Sequence, residues 1–229
     1  MSKTSNPLLK RESRRGMITG VVVVGIIVLA LAAGVTIQYL RTHGEVEASA
    51  SGSEPAVIVG PGQSGKGVTV GKADAKNNIE LYLDFRCPHC KDFEDQSGAT
   101  IDQLINNGKA KVTYNPLMFV DPEISPLAAN GFACAAAAGK ARGYADALYT
   151  NFGQAWTNAQ LIDLGKKLGI NDSSFAECVN TNKYSQWLQS VSAASDQRGV
   201  TGTPTVYVNG TQLPEGQLTP AGILAAASL

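Results

Sequence analysis

Ile79-Glu80-Leu81-Tyr82-Leu83-Asp84-Phe85-Arg86-Cys87-Pro88-His89-Cys90 is the stretch on which the reading of this 229-residue chain turns. Its first seven residues alternate. Leu81, Leu83 and Phe85 share one face and Glu80, Tyr82 and Asp84 the other, the pattern of a β-strand over 79–85. A polar segment, 91–107, follows the second cysteine and carries Phe93, Ile101, Leu104 and Ile105. It reads as a helix that stops at Asn107-Gly108. The motif Cys87-Pro88-His89-Cys90 therefore sits at a strand-to-helix junction. There the first sulfur meets unpaired backbone N–H groups and the positive end of the helix dipole. Both favour thiolate, the species that attacks disulfides. Pro88 suits the first helical position, where no N–H is needed. His89 adds a donor, and a charge when protonated, beside the same sulfur. The two-residue spacer lets Cys87 and Cys90 pair reversibly.

Two plainer readings compete with redox chemistry. Half of a zinc site would need two more ligands at short spacing. Cys134 and Cys178 stand alone and the other histidine is His43, so no metal is expected. A purely structural disulfide of such short span would constrain little of the unfolded chain.

The formal net charge is zero, which gives no reason to expect nucleic acid as a partner. The charge is unevenly placed, however. Lys3, Lys10, Arg11, Arg14 and Arg15 crowd a basic tail over 1–15, opposed only by Glu12. Residues 16–40 carry no charge, and about 20 apolar residues suffice to span a bilayer. The expectation is one transmembrane helix over 16–40 with the basic side cytoplasmic and the remainder extracytoplasmic. A cleaved signal peptide is the alternative, with Ala48-Ser49-Ala50 as a small-x-small cleavage site. Either way the following domain lies where disulfides persist. Residues 41–66 are rich in Gly, Ser, Ala, Glu and Pro without periodicity and read as a flexible tether with a root-mean-square span of roughly 25–30 Å.

Residues 67–229 read as one α/β domain. A short strand over 68–71 precedes the strand at 79–85, and another follows over 110–114, giving a βαβ unit. From about 122 to 199 the pattern is helical. Ser125-Pro126 opens an alanine-rich helix, and Thr157, Asp172 and Gly199 mark further starts and stops. The leucine and aromatic stripes in this block read as core. Pro204 begins the β-branched run Thr205-Val206-Tyr207-Val208, a position where a missing ladder donor does no harm. Asn209-Gly210 is a two-residue hairpin turn, and Thr219-Pro220 opens a terminal helix.

This order resembles the thioredoxin fold with the inserted helical domain of DsbA-like thiol–disulfide oxidoreductases. The specific pieces are Asp84-Phe85-Arg86-Cys87-Pro88-His89-Cys90 and Gly199-Val200-Thr201-Gly202-Thr203-Pro204-Thr205. The resemblance implies a bacterial, membrane-tethered enzyme, and the alanine-rich composition fits an actinobacterium. It assigns Cys87 as the exposed nucleophile and Cys90 as the buried resolving thiol. His89 stabilises the Cys87 thiolate. Pro204 is the cis-proline facing the site, an uncommon conformation that marks a functional device. Thr203 pairs with substrate through its backbone.

The implied function is an extracytoplasmic enzyme that introduces disulfides into exported proteins. It would need no cofactor, act as a monomer on reduced exported proteins, and be re-oxidised by a membrane-embedded, quinone-linked thiol oxidase. A disulfide reductase or isomerase, or a non-catalytic chaperone or binding module on the same fold, is the alternative. In an oxidising compartment Cys134 and Cys178 are expected to form a second, structural disulfide.

One departure from the family pattern stands out. Many members carry a buried carboxylate six positions before the first cysteine, where this chain has Leu81. Proton handling is then left to Asp84, to water, or to no protein group.

Overall fold

The structure is a computed structural model that describes residues 22–39, 45–48 and 54–229. The expected basic tail at 1–15 lies outside the described residues, as do the ends of the 16–40 span. Helix α1, Val22–Tyr39, is 18 residues long with a mean hydropathy of 2.3, long and apolar enough to cross a membrane. At 1.5 Å per residue it extends about 27 Å, close to the hydrocarbon thickness of a bilayer.

The second unit, residues 45–229, is built on one six-stranded mixed sheet. Its elements in chain order are β1 (Val57–Val59), β2 (Val68–Val70), β3 (Asn77–Leu83), α2 (Pro88–Asn106) and β4 (Ala110–Pro116). Then come α3 (Ile124–Ala137), α4 (Ala141–Thr150), α5 (Asn158–Lys167), α6 (Ser173–Asn180) and α7 (Ser185–Gln197). The chain closes with β5 (Thr205–Val208), β6 (Thr211–Gln212) and α8 (Pro220–Ala226). The strand order is β1-β2-β4-β3-β5-β6.

β3 is central. It pairs in parallel with β4, Leu81 opposite Tyr114, and antiparallel with β5, Leu81 opposite Val206. Ile79, Leu81 and Leu83 are buried on one face together with Val112, Tyr114, Val206 and Val208. The strand starts at Asn77 rather than Ile79 and ends at Leu83 rather than Phe85. Asn77-Asn78, a turn signal in isolation, is held in the ladder because Asn209 bonds to both residues. The hairpin after β5 turns at Asn209 and Gly210, both at positive φ, the conformation a two-residue loop between twisted strands needs.

α3 to α7 form the helical block. α3 is buried nearly all round: Ala128, Ala129, Ala133, Ala135 and Ala136 are inaccessible or almost so. Small side chains let α4, α5, α6 and α7 pack against this one helix. Phe132 on α3 meets Phe85 and Tyr114, which locks the block to the sheet. A disulfide joins Cys134 of α3 to Cys178 of α6, Cα to Cα 5.9 Å.

The tether expected at 41–66 is not free where the structure describes it. Val57–Val59 pairs antiparallel with β2 and extends the sheet. Val46 is 2% exposed within the core. Asn151 accepts from the Glu47 N–H at 2.7 Å and donates to its carbonyl at 2.6 Å. The Glu54 carboxylate accepts from the backbone N–H groups of Arg142 and Gly143, capping α4. Composition misleads here because a few well-placed apolar side chains and backbone hydrogen bonds to distant elements suffice to order a Gly/Ser-rich segment. Residues 41–44 and 49–53 lie outside the described part.

Candidate active site

Cys87 is the N-cap residue of α2, with extended backbone dihedrals, and Pro88 follows in the first turn. The Cys87 N–H donates to the Asp84 carbonyl, and the N–H groups of Cys90 and Lys91 donate back to the Cys87 carbonyl. The two thiols are thereby placed on one turn of helix. Both are free thiols and both are buried: Cys87, expected to be exposed, is only 4% accessible because the loop carrying Thr203 packs against it. The Thr203–Pro204 peptide is cis, and the Thr203 carbonyl accepts from Cys87 Sγ at 3.3 Å. Residues 116 positions apart thus meet at the sulfur.

The two cysteines are driven in opposite directions. A hydrogen bond from the Cys90 thiol is the largest cause holding the Cys87 thiol down, to about 5 from 9.0. Burial opposes it, and the Thr203 hydroxyl and the N–H groups of Cys90 and His89 support it. Burial pushes the Cys90 thiol far up, and the neighbouring Cys87 adds to that. The surroundings therefore favour thiolate at Cys87 and thiol at Cys90 near neutral pH.

The His89 side chain points to solvent at the mouth of the site. It is 82% exposed and lies 4.0 Å from Asp92. Its backbone N–H is one of the groups that favour the Cys87 thiolate.

Asp84 lies just before the motif. It is 0% exposed. Oδ1 accepts from the Arg86 N–H and from Ser125 Oγ, and Oδ2 accepts from the N–H groups of Phe119 and Val120, all at 2.8–2.9 Å. Four donors fill the lone-pair sites of a carboxylate. Asp84 is thus a knot tying the turn before Cys87 to the loop after β4. Ser125, read as a cap, spends its hydroxyl on this knot, and Asp121 supplies the side chain that accepts from Glu123 and Ile124.

Beside the sulfurs runs a cleft of about 500 Å³, lined by His89, Asp92 and Phe93 of α2, by Thr203-Pro204, and by the segment after β6. Cys134 and Cys178 are not part of this site. Among the described residues no group of three or more His, Cys, Asp or Glu side chains is arranged to hold a metal ion.

Residues 63–226 match the Thioredoxin family. The chain belongs to the thioredoxin family. No curated protein sequence matches it. Among solved structures, reduced DsbA from Mycobacterium tuberculosis is similar at 25% identity and a TM-score of 0.58. The match covers 72% of this chain and 98% of that one. A disulfide-bond oxidoreductase of the same organism, DsbG, gives 26% identity and 0.60 over 75% and 88%. MdbA, a thiol–disulfide oxidoreductase of Corynebacterium diphtheriae, shares the fold at 19% identity, with 0.64 over 82% and 98%.

Three features of the site have no signal in the local sequence. They are the Asp84 knot, the Glu80–Arg198 ion pair, and a cluster in which buried Arg142 of α4 bonds to buried Glu94 and half-exposed Asp102 of α2. All three join residues at least 35 positions apart.

Proposed function

We propose that this thiol–disulfide oxidoreductase works as a disulfide donor to exported proteins on the outer side of the membrane, with α1 as a retained anchor. The observation that carries the reading is the placement of Cys87 at the N-terminus of α2, one turn from buried Cys90 and 3.3 Å from the carbonyl before cis-Pro204, a setting that holds the Cys87 thiol down and pushes the Cys90 thiol up. A stabilised thiolate exists only in the reduced enzyme, so whatever favours it makes the Cys87–Cys90 disulfide a better oxidant.

The reaction then runs as two exchanges. A substrate thiolate attacks Cys87 Sγ, the S–S bond to Cys90 breaks, and Cys90 leaves and takes a proton. A second substrate thiolate attacks the substrate sulfur of the mixed disulfide, and Cys87 leaves as thiolate. The substrate loses two electrons and two thiol protons. The enzyme gains both electrons and one proton, and the other proton goes to water. Cys87 is the good leaving group because its thiolate is stable, which gives the second step its direction. Thr203 and the cis-Pro204 line the path of the substrate backbone, and Pro88 keeps the first turn of α2 free of an unmet donor.

Return to the disulfide requires an electron acceptor. A membrane-embedded, quinone-linked thiol oxidase fits that need, with the enzyme acting as a monomer and without a cofactor of its own. Equilibrating the full chain, in detergent, with glutathione buffers tests the reading. A potential near about −120 mV, that of strongly oxidising DsbA, supports a donor, while one near about −270 mV, that of thioredoxin, makes the chain a reductase.

A further inference from the structure

Arg198 directly follows α7, and its side chain is tightly held. Nη1 donates to Glu80 Oε2 at 2.7 Å and Nη2 to Glu80 Oε1 at 3.2 Å. The guanidinium lies 4.1 Å from the centroid of the Tyr207 ring and 5.8 Å from that of Tyr82. The two rings meet edge to face. A planar fork bonded to both oxygens of one carboxylate and stacked on an aromatic face is an arrangement lysine does not reproduce.

The clasp joins the pieces that carry the site. Glu80 and Tyr82 are on β3, which runs on to Asp84 and Cys87. Tyr207 is on β5, directly opposite Glu80. Between Arg198 and β5 lies only the cis-proline loop, 199–204. Its start is fixed by Gly199 at φ +80°, a conformation glycine adopts without cost, and by the Val200 N–H donating to the Ser195 carbonyl. Its end is fixed by Thr205 Oγ donating to the Gly202 carbonyl at 2.8 Å. The clasp therefore ties the strand leading to Cys87 to the residues that flank the loop carrying Thr203 on either side.

We propose that Arg198, bonded to Glu80 and stacked on Tyr207, is a positioning residue that fixes the loop carrying Thr203 against Cys87. It touches neither sulfur. Its effect passes through the geometry of Thr203, whose carbonyl stands 3.3 Å from Cys87 Sγ. Hydrogen bonds weaken steeply when misaligned; the Thr203 side chain is one of the causes holding the Cys87 thiol down, and a bond to the charged thiolate loses more on misalignment than the carbonyl contact with the neutral thiol.

The test is the Cys87 titration, followed by thiolate ultraviolet absorbance in the full-length reduced protein, for Arg198→Ala, Arg198→Lys and Glu80→Gln. Arg198→Ala should raise the midpoint by about one pH unit, a tenfold change in ionisation, and lower the equilibrium constant against glutathione correspondingly. Arg198→Lys, with the charge but not the fork, should shift it less and in the same direction. Glu80→Gln should also raise it, because it opens the same clasp.

A simple through-space effect predicts opposite signs, since one variant removes a cation and the other an anion. Opposite signs, or unmoved midpoints, would overturn the proposal. Thr157→Ala, which removes the capping box of α5, controls for general destabilisation. It should lower the melting temperature and leave the midpoint in place, and an equal shift there would also overturn the proposal. If Arg198→Ala does not fold, Glu80→Gln decides. The readout is a difference between variants, so a low absolute potential would sink the donor reading and leave this inference standing.

Discussion

Acidification should change how many protons the Cys87–Cys90 couple exchanges, and the break should fall near pH 5. Cys87 is held to about 5 from 9.0, and Cys90 stays protonated far into the alkaline range. Between those limits the reduced pair carries one proton, and below about 5 it carries two. For a two-electron couple, a tenfold change in equilibrium constant is about 30 mV. The potential should therefore fall by about 30 mV per pH unit above pH 5 and by about 59 mV per unit below it.

At pH 7 a thiol titrating at 5 is about 99% ionised and one titrating at 9 about 1%. That difference is about 2.7 kcal/mol, or about 60 mV in favour of the oxidant, and solvent screening at the rim of the cleft lowers the figure. The same shift sets stability. A depressed thiol stabilises the folded, reduced protein fully above the unfolded value of 9.0, partly at pH 7, and not at all once the pH has fallen through about 5. The reduced form should thus melt above the oxidised form at neutral pH, and the gap should close on acidification. Potentials measured in glutathione buffers from pH 4 to 8, corrected for ionisation of the glutathione thiol, together with paired thermal melts, check both. A slope that stays at about 59 mV per unit up to pH 8, or a more stable oxidised form at pH 7, would refute the reasoning.

Cys87→Ser should abolish turnover, whereas Cys90→Ser should leave Cys87 reactive but unable to be released, so that substrates accumulate as mixed disulfides visible on non-reducing gels; trapping by the Cys87 variant instead would reverse the two roles. Asp84→Asn places an amide donor among four donors and should cost about 3 kcal/mol or more, read as a lowered urea midpoint with slower substrate oxidation; an unchanged midpoint would remove the knot from the argument. Replacing both Cys134 and Cys178 by alanine opens a loop with a sequence separation of 44, and should cost up to about 4 kcal/mol by loop-closure entropy while leaving the glutathione potential in place; a shifted potential would contradict a purely structural disulfide.

The local code carries a large part of this protein. Alternation over 79–83 makes the central strand, the Cys87-Pro88 junction starts α2, Asn209-Gly210 closes the hairpin, and the charge-free stretch from Gly16 yields α1. Each depends on side-chain periodicity or on dihedral limits within a few residues, which a sequence displays directly. The tether region, 41–66, is different. Val46, Glu47 and Glu54 are ordered by partners about 90 to 120 positions away, and nothing in a Gly/Ser-rich run announces such partners. The chemistry at Cys87 divides the same way. The motif supplies the helix N-terminus, but which group faces the sulfur is decided by packing. The fold turns the His89 ring to solvent, brings Thr203 to 3.3 Å, fills Asp84 with four donors, and closes Arg198 on Glu80 and Tyr207. These contacts form only when strands and loops far apart in the chain reach their register, so they are properties of the tertiary structure and of no single segment.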